Sequence, residues 1–174
     1  MYIGHVAAAL TAKRARASIG LVVLLVATYT PDWVDAGLCL AGVYNPDAVL
    51  SHSVPAIALF ALVGFAAYAL RTRDWTGGIL VGGVIVSHMP LDWITGYKPT
   101  WPGGQMIGLG LYGHPVADFI VEGVLIVIGA LLYGHTLPPR RRPWIDVSIM
   151  LGALLALQLG IDIAHMVMKS LPKC

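Results

Sequence analysis

Histidines and carboxylates recur inside the apolar stretches of this chain, at spacings typical of metal ligands and of proton-transfer groups. His88 and Asp92 lie four residues apart in SHMPLDW, so in a helix they share one face. An imidazole and a carboxylate at this spacing can bind one divalent ion, or the carboxylate can orient the histidine. A hydrogen bond between packed helices is the structural alternative.

Two aspartates flank a predicted break in the first apolar stretch. Asp32 and Asp35 follow Pro31 in TPDWVD, and either could bind a metal or act as a general base. Asp32 could also cap a helix that begins after the proline. His52, in LSHSV, is a metal-ligand candidate or a residue of a helix start.

A third set of polar residues forms a stripe. His114, Asp118 and Glu122 follow one another at four-residue intervals, which places them on one helix face. Such a stripe would face a cavity or partner helices, and it would also suit a proton relay. Asp118 is a further candidate base, and His114 a further candidate ligand. Asp162 and His165 form a weaker pair near the end of the chain.

The composition indicates that these residues lie in a membrane. The 174 residues are 57% hydrophobic and 11% charged, with a mean hydropathy of +0.77, whereas a soluble domain carries about 25% charged residues. An ionisable group in a bilayer costs roughly 2.5–3.5 kcal/mol even on lenient scales, so the retained groups are expected to be functional. No basic stripe with interleaved aromatics is present, which argues against nucleic acid as a partner.

Run lengths predict an all-α integral membrane protein, a bundle of about five transmembrane helices forming one domain over residues 1–174. A helix needs about 20 apolar residues to cross the hydrocarbon core. The first span is expected to be kinked at Pro31. The predicted spans are residues 18–43, 51–70, 75–96, 114–135 and 144–168.

Basic residues predict the orientation of these spans. Eight of the eleven Lys and Arg residues fall on one side of a five-span bundle, which the positive-inside rule makes cytoplasmic. Counting about 1.5 Å per residue then places Asp32, His52, His88, Asp92, His114 and Asp118 in the outer half of the membrane. We therefore expect these six side chains to face a common cavity. The glycines of the loop 97–113 could cradle an anion or could simply form turns.

His5 conflicts with this placement. It would start on the cytoplasmic side, and residues 1–12 are too few to cross the bilayer as a helix. Either His5 lies outside the site, or its segment re-enters the membrane, or the first span is wrongly assigned.

With these motifs assembled, the chain resembles the YdjM-like family of small bacterial integral-membrane proteins, a group related in motif to zinc-dependent phospholipase C. The resemblance implies a metal-dependent hydrolase. The motifs are Gly4-His5, Pro31-Asp32, His52-Ser53, and Ser87-His88 with Asp92. The family often has PDxD where this chain has PDWVD, and an Arg-rich segment where residues 45–50 stand here. The resemblance implies that His5 is a metal ligand beside His88.

Three functions follow as hypotheses. The first is a hydrolase of the bacterial inner membrane with a divalent metal, expected to be zinc, that cleaves a lipid ester or phosphoester. The second is a proton or ion transporter that uses the polar stripe. The third is a non-catalytic accessory subunit of a larger membrane complex. Membrane lipids, and in the third case other membrane subunits, are the expected partners.

Overall fold

Helices make up almost all of the regular structure in the computed structural model, which describes residues 2–43, 45, 48–138 and 143–167. The helices are α1 (His5–Ala15), α2 (Leu21–Thr28), α3 (Thr30–Leu40), α4 (Val49–His52), α5 (Val54–Thr72), α6 (Trp75–Thr95), α7 (Pro115–Gly134) and α8 (Pro143–Val167). Two short strands, β1 (Lys98–Pro99) and β2 (Met106–Ile107), pair in antiparallel fashion between α6 and α7. The predicted all-α fold class is confirmed.

Five helical segments are long and apolar enough to cross a membrane. They are Leu21–Leu40, Val54–Thr72, Trp75–Thr95, Pro115–Gly134 and Trp144–Val167. Each lies within a few residues of a span predicted from the sequence. Many of their large apolar side chains point away from the bundle, as in Val22, Leu62 and Ile79, which is the arrangement that a lipid environment favours.

The first span is divided where Pro31 predicts a kink. Helix α2 ends at Thr28 and α3 begins at Thr30, so the proline lies in the first turn of α3. Proline has no N–H to donate to the preceding turn, and it is tolerated at this position of a new helix. The break places Asp32 in the first turn of α3, facing the interior of the bundle.

Helix α1 is the element that span counting did not predict. It runs for eleven residues, about 16 Å at 1.5 Å per residue, or roughly half of the hydrocarbon core. His5, Ala9 and Leu10 are buried, while Lys13 and Arg14 lie in its last turn. Arg16 binds Asp74, between α5 and α6, at 2.8 Å. The helix therefore begins at His5 in the interior of the bundle and runs out to the basic side.

Small residues allow the helices to approach closely. A Cβ on Gly129 of α7 would lie 2.7 Å from the Cα of Ala7 in α1. A Cβ on Gly78 of α6 would lie 2.9 Å from the Cβ of Ala69 in α5. Close packing of this kind is typical of helices in a membrane, where apolar burial alone does not drive association.

The loop after α6 folds back over the outer end of the bundle. The N–H of Leu109 donates to the carbonyl of Trp93 at 2.9 Å. Gly108 has φ +143°, and a Cβ there would collide with the carbonyl oxygen of Gly96, so this glycine serves a close backbone approach. The loop places Lys98 and Tyr112 over the polar interior. The basic loop containing Arg140, Arg141 and Arg142 lies outside the described residues.

Candidate metal centre

Five of the sequence-predicted site residues meet where four elements converge. His5 is the first residue of α1, Asp32 lies in the first turn of α3, and His52 ends α4. His88 and Asp92 occupy successive turns of α6. The start of α1 and the break between α2 and α3 both lie at this level. Side chains at these helix ends can therefore reach the interior of the bundle.

The carboxylate of Asp92 lies at the centre of the cluster. Its Oδ1 is 3.2 Å from His5 Nε2. Its Oδ2 is 3.4 Å from His88 Nε2 and 3.5 Å from His52 Nε2. The His5 and His88 rings stack with centroids 3.9 Å apart. The first potential ligand group is therefore His5, His88 and Asp92, all three buried.

A second ligand group shares His88 with the first. Asp32 Oδ1 lies 3.1 Å from His52 Nε2 and 3.6 Å from His88 Nε2. Together with His52 and His88 it forms a second set whose ligand atoms all lie within 4.8 Å of one another. Asp32 is also the most accessible of the five residues, at 36% of its side chain against 2% for Asp92.

Hydrogen bonds fix the orientation of the His88 ring. Its Nδ1 donates to the carbonyl of Thr28 at 2.7 Å, and Thr28 is the last residue of α2, where carbonyl groups lack partners within the helix. Because Nδ1 carries the proton, Nε2 carries a lone pair that points into the cluster. Within the described residues this buried Nε2 has no hydrogen-bond partner, as expected for an atom that could bind a metal ion.

His52 is oriented by a relay that ends at Asp35. Its Nδ1 donates to Ser51 Oγ at 2.8 Å, and Ser51 Oγ donates to Asp35 Oδ1 at 3.1 Å. Asn45 Nδ2 donates to the same Asp35 oxygen at 2.6 Å. The relay orients His52 so that the lone pair on its Nε2 faces the centre. Hydrogen-bond partners commonly orient metal-binding histidines in this way. Asp35 thus lies behind His52 and is in neither ligand group.

Burial keeps two of the imidazoles in their neutral form. His5 and His52 lie outside the five candidate spans. Burial lowers the pKa of His5 to about 4, against the opposing effect of the Asp92 hydrogen bond. Burial also lowers the pKa of His52, against the opposing effect of its contact with the Asp32 carboxylate. Neutral imidazole is the form that binds a metal.

The N-terminal segment that carries His5 is held by side chains of α7 and α8. The N–H of Gly4 donates to Glu122 at 2.8 Å, and the N–H of Tyr2 donates to the same carboxylate. The N–H of Ile3 donates to Gln158 Oε1 at 3.1 Å. These acceptors satisfy donors that precede a helix start, and they fix the end of α1 at which His5 faces Asp92.

A cavity of about 600 Å³ opens beside the cluster. Asp32, Asp92 and Lys98 of β1 line it, and the Nζ of Lys98 lies 3.7 Å from Asp92 Oδ2. Tyr29 and Tyr112 contribute aromatic walls. The sequence analysis did not single out Lys98, although it is the one basic residue of the loop 97–113.

Two residues predicted from the polar stripe lie away from this centre. His114 is exposed at the start of α7 and is in neither ligand group. Asp118 is buried on the face of α7 that carries Glu122, towards Asp162 of α8. Asp162 accepts a hydrogen bond from Gln158 at 3.0 Å, and His165 lies 3.2 Å from the Tyr2 hydroxyl. Of the three residues of the stripe, Glu122 is the one that supports the N-terminal segment.

The fold and the site define a multi-pass membrane protein with a buried histidine and aspartate cluster. The chain belongs to the YdjM inner membrane protein family, whose model matches residues 1–166. The match includes all five clustered residues, and it shows that the chain is an inner membrane protein. No curated protein and no solved structure matches the chain.

Proposed function

We propose that the chain is a metal-dependent hydrolase that acts on a lipid ester or phosphoester within the membrane. The observation that carries the proposal is the convergence of His5, His52 and His88 on Asp92, which itself lines a cavity. Imidazole and carboxylate groups are ligand types that suit zinc. The cavity beside them offers space for the reacting part of a substrate.

The separations between ligand atoms fit one ion. Ligands at 2.0–2.1 Å from a tetrahedral zinc lie about 3.3 Å from one another. The contacts of Asp92 with His5, His88 and His52 are 3.2, 3.4 and 3.5 Å. Because Thr28 occupies Nδ1 of His88, that ring has one nitrogen left to bind an ion. The two groups that share His88 therefore describe one centre with one ion.

Asp32 is the residue that we assign as general base. It lines the cavity, and its carboxylate is more accessible than that of Asp92. Of the other candidates, Asp35 is occupied with Ser51 and Asn45, and Asp118 lies with the acidic residues of α7 and α8. When bound, a divalent ion supplies Lewis acidity, which polarises the scissile group and activates water. Asp32 would take up the proton that the water loses.

Hydrolysis of short-chain lipids by the detergent-purified protein tests this proposal. We expect product release that stops with a chelator, returns with added zinc and is lost in Asp32→Asn and Asp92→Asn. His114→Ala is the matched control, because His114 lies on the outer side but in neither ligand group. Hydrolysis that continues unchanged in the chelator would refute the proposal.

A further inference from the structure

Lys98 is the one cationic side chain among the described residues that line the cavity. It lies on β1, paired in register with Ile107 of β2, so the hairpin fixes the backbone that carries it. Its side chain is 20% accessible and its Nζ is 3.7 Å from Asp92 Oδ2. This is the same oxygen that lies against His52 and His88.

We propose that Lys98 binds the anionic oxygen of a phosphodiester lipid, and that it becomes available for this role when a metal ion occupies the neighbouring centre. The inference rests on the proposed function and specifies its substrate class. A metal that binds Asp92 Oδ2 competes directly with the ammonium group of Lys98. When the metal binds this oxygen, the ammonium group of Lys98 loses Asp92 as its partner and becomes available to a substrate in the cavity.

Charge determines which substrate class the loaded site favours. The carboxylates of Asp32 and Asp92 cancel the charge of a divalent ion, and an imidazole that binds the ion is in its neutral form. With Lys98 included, the net charge of the metal-loaded site is therefore +1. A phosphodiester carries one negative charge and complements this site, whereas a carboxylic ester is neutral and gains nothing from the ammonium group.

The rest of the cavity suits the apolar part of a lipid. Ile3, Tyr29 and Ile161 line it, and Trp33 at its edge is 57% exposed on the outward face of α3. A lipid could thus place its phosphodiester between Lys98 and the metal centre while its acyl chains remain against the apolar walls. Tyrosine and tryptophan are typical of such interfacial positions.

Binding of two short-chain lipids to the zinc-loaded protein tests the inference without relying on catalysis. The probes are dioctanoylphosphatidylglycerol, a phosphodiester, and dioctanoylglycerol, a neutral carboxylic ester. We expect Lys98→Met to weaken phosphatidylglycerol binding about tenfold and to leave dioctanoylglycerol binding unchanged. Lys98→Arg should restore most of the phosphatidylglycerol affinity. A chelator should weaken phosphatidylglycerol binding by the wild-type protein.

Arg14→Met is the matched control, because it removes one positive charge from an exposed position on the basic side. Equal effects of Lys98→Met on both lipids, or no effect on either, would overturn the role of Lys98 while leaving the hydrolase proposal standing. Wild-type protein that takes up no zinc would overturn the hydrolase proposal and this inference together. Zinc-loaded wild-type protein that binds both lipids alike would overturn the inference alone.

Discussion

At the scale of single residues, the centre depends on which nitrogen of each imidazole carries the proton. Thr28 and Ser51 each accept a hydrogen bond from an Nδ1, so the Nε2 atoms of His88 and His52 both face the cluster. Neither partner is an ionisable residue, and neither lies in a pattern that sequence reasoning associates with metals. They orient the rings at the level where Asp92 lies.

Substituting the serine behind His52 tests this orientation. We expect Ser51→Ala to weaken zinc affinity about 10- to 100-fold, as is typical for partners behind metal-binding histidines. The relay to Asp35 would be broken while all the ligand atoms remain. A zinc titration against a competing chelator measures the change. Ser148→Ala is the control, because Ser148 donates to the carbonyl of Trp144 in its own helix; equal affinities in the two variants would count against the relay.

The sequence singled out the residues of the cluster but not their grouping. Asp32, His52, His88 and Asp92 stand out because ionisable side chains are rare in apolar stretches. Depth along the membrane also placed His114 and Asp118 beside them, yet depth says nothing about which way a helix face points. His114 is exposed and Asp118 faces α8. Lys98 was overlooked because a lone lysine in a loop carries no distinctive pattern.

At the scale of elements, the unusual feature is a half-length helix among full spans. α1 can end in the interior of the bundle because Glu122 and Gln158 accept hydrogen bonds from its preceding N–H groups. Its eleven residues include Lys13 and Arg14, so its composition resembles a polar flank more than a membrane segment. Span counting therefore finds the five long helices and the kink at Pro31 but cannot place α1. Only the family resemblance linked His5 to His88.

The contact between α1 and α7 can be tested at one glycine. A Cβ on Gly129 would lie 2.7 Å from the Cα of Ala7, so Gly129→Ala should displace α1 and withdraw His5 from Asp92. Overpacking of this kind costs typically 1–3 kcal/mol, and we expect both a lower melting temperature and weaker zinc binding. Gly152→Ala is the matched control, since a Cβ there meets nothing within 4 Å. Unchanged zinc binding in Gly129→Ala would show that α1 does not position a ligand.

At the scale of the whole molecule, the basic cluster of Lys13, Arg14 and Arg16 lies towards the end of the bundle opposite the site. The ion pair of Arg16 and Asp74 joins the end of α1 to the turn between α5 and α6. The hairpin that carries Lys98 covers the other end. If the basic side is cytoplasmic, as the positive-inside rule predicts, we expect the cavity to lie in the outer half of the inner membrane.

Cysteine labelling tests this orientation. In intact cells or spheroplasts, a membrane-impermeant maleimide should label Gln105→Cys, which is exposed on the hairpin loop. It should label Arg14→Cys only after permeabilisation, because Arg14 lies at the basic end of α1. The parent chain gives the background from its own cysteines. The reverse pattern would place the cavity on the cytoplasmic side.

The metal content of the purified protein tests the central claim most directly. We predict about one zinc per chain in the wild-type protein after incubation with zinc and removal of the excess. His88→Ala and His5→Ala should both lose most of it, because each removes a ligand atom from the group built around Asp92. His114→Ala should retain the wild-type amount. Zinc retained in full by both His88→Ala and His5→Ala, or absent from the wild-type protein, would contradict the metal centre described above.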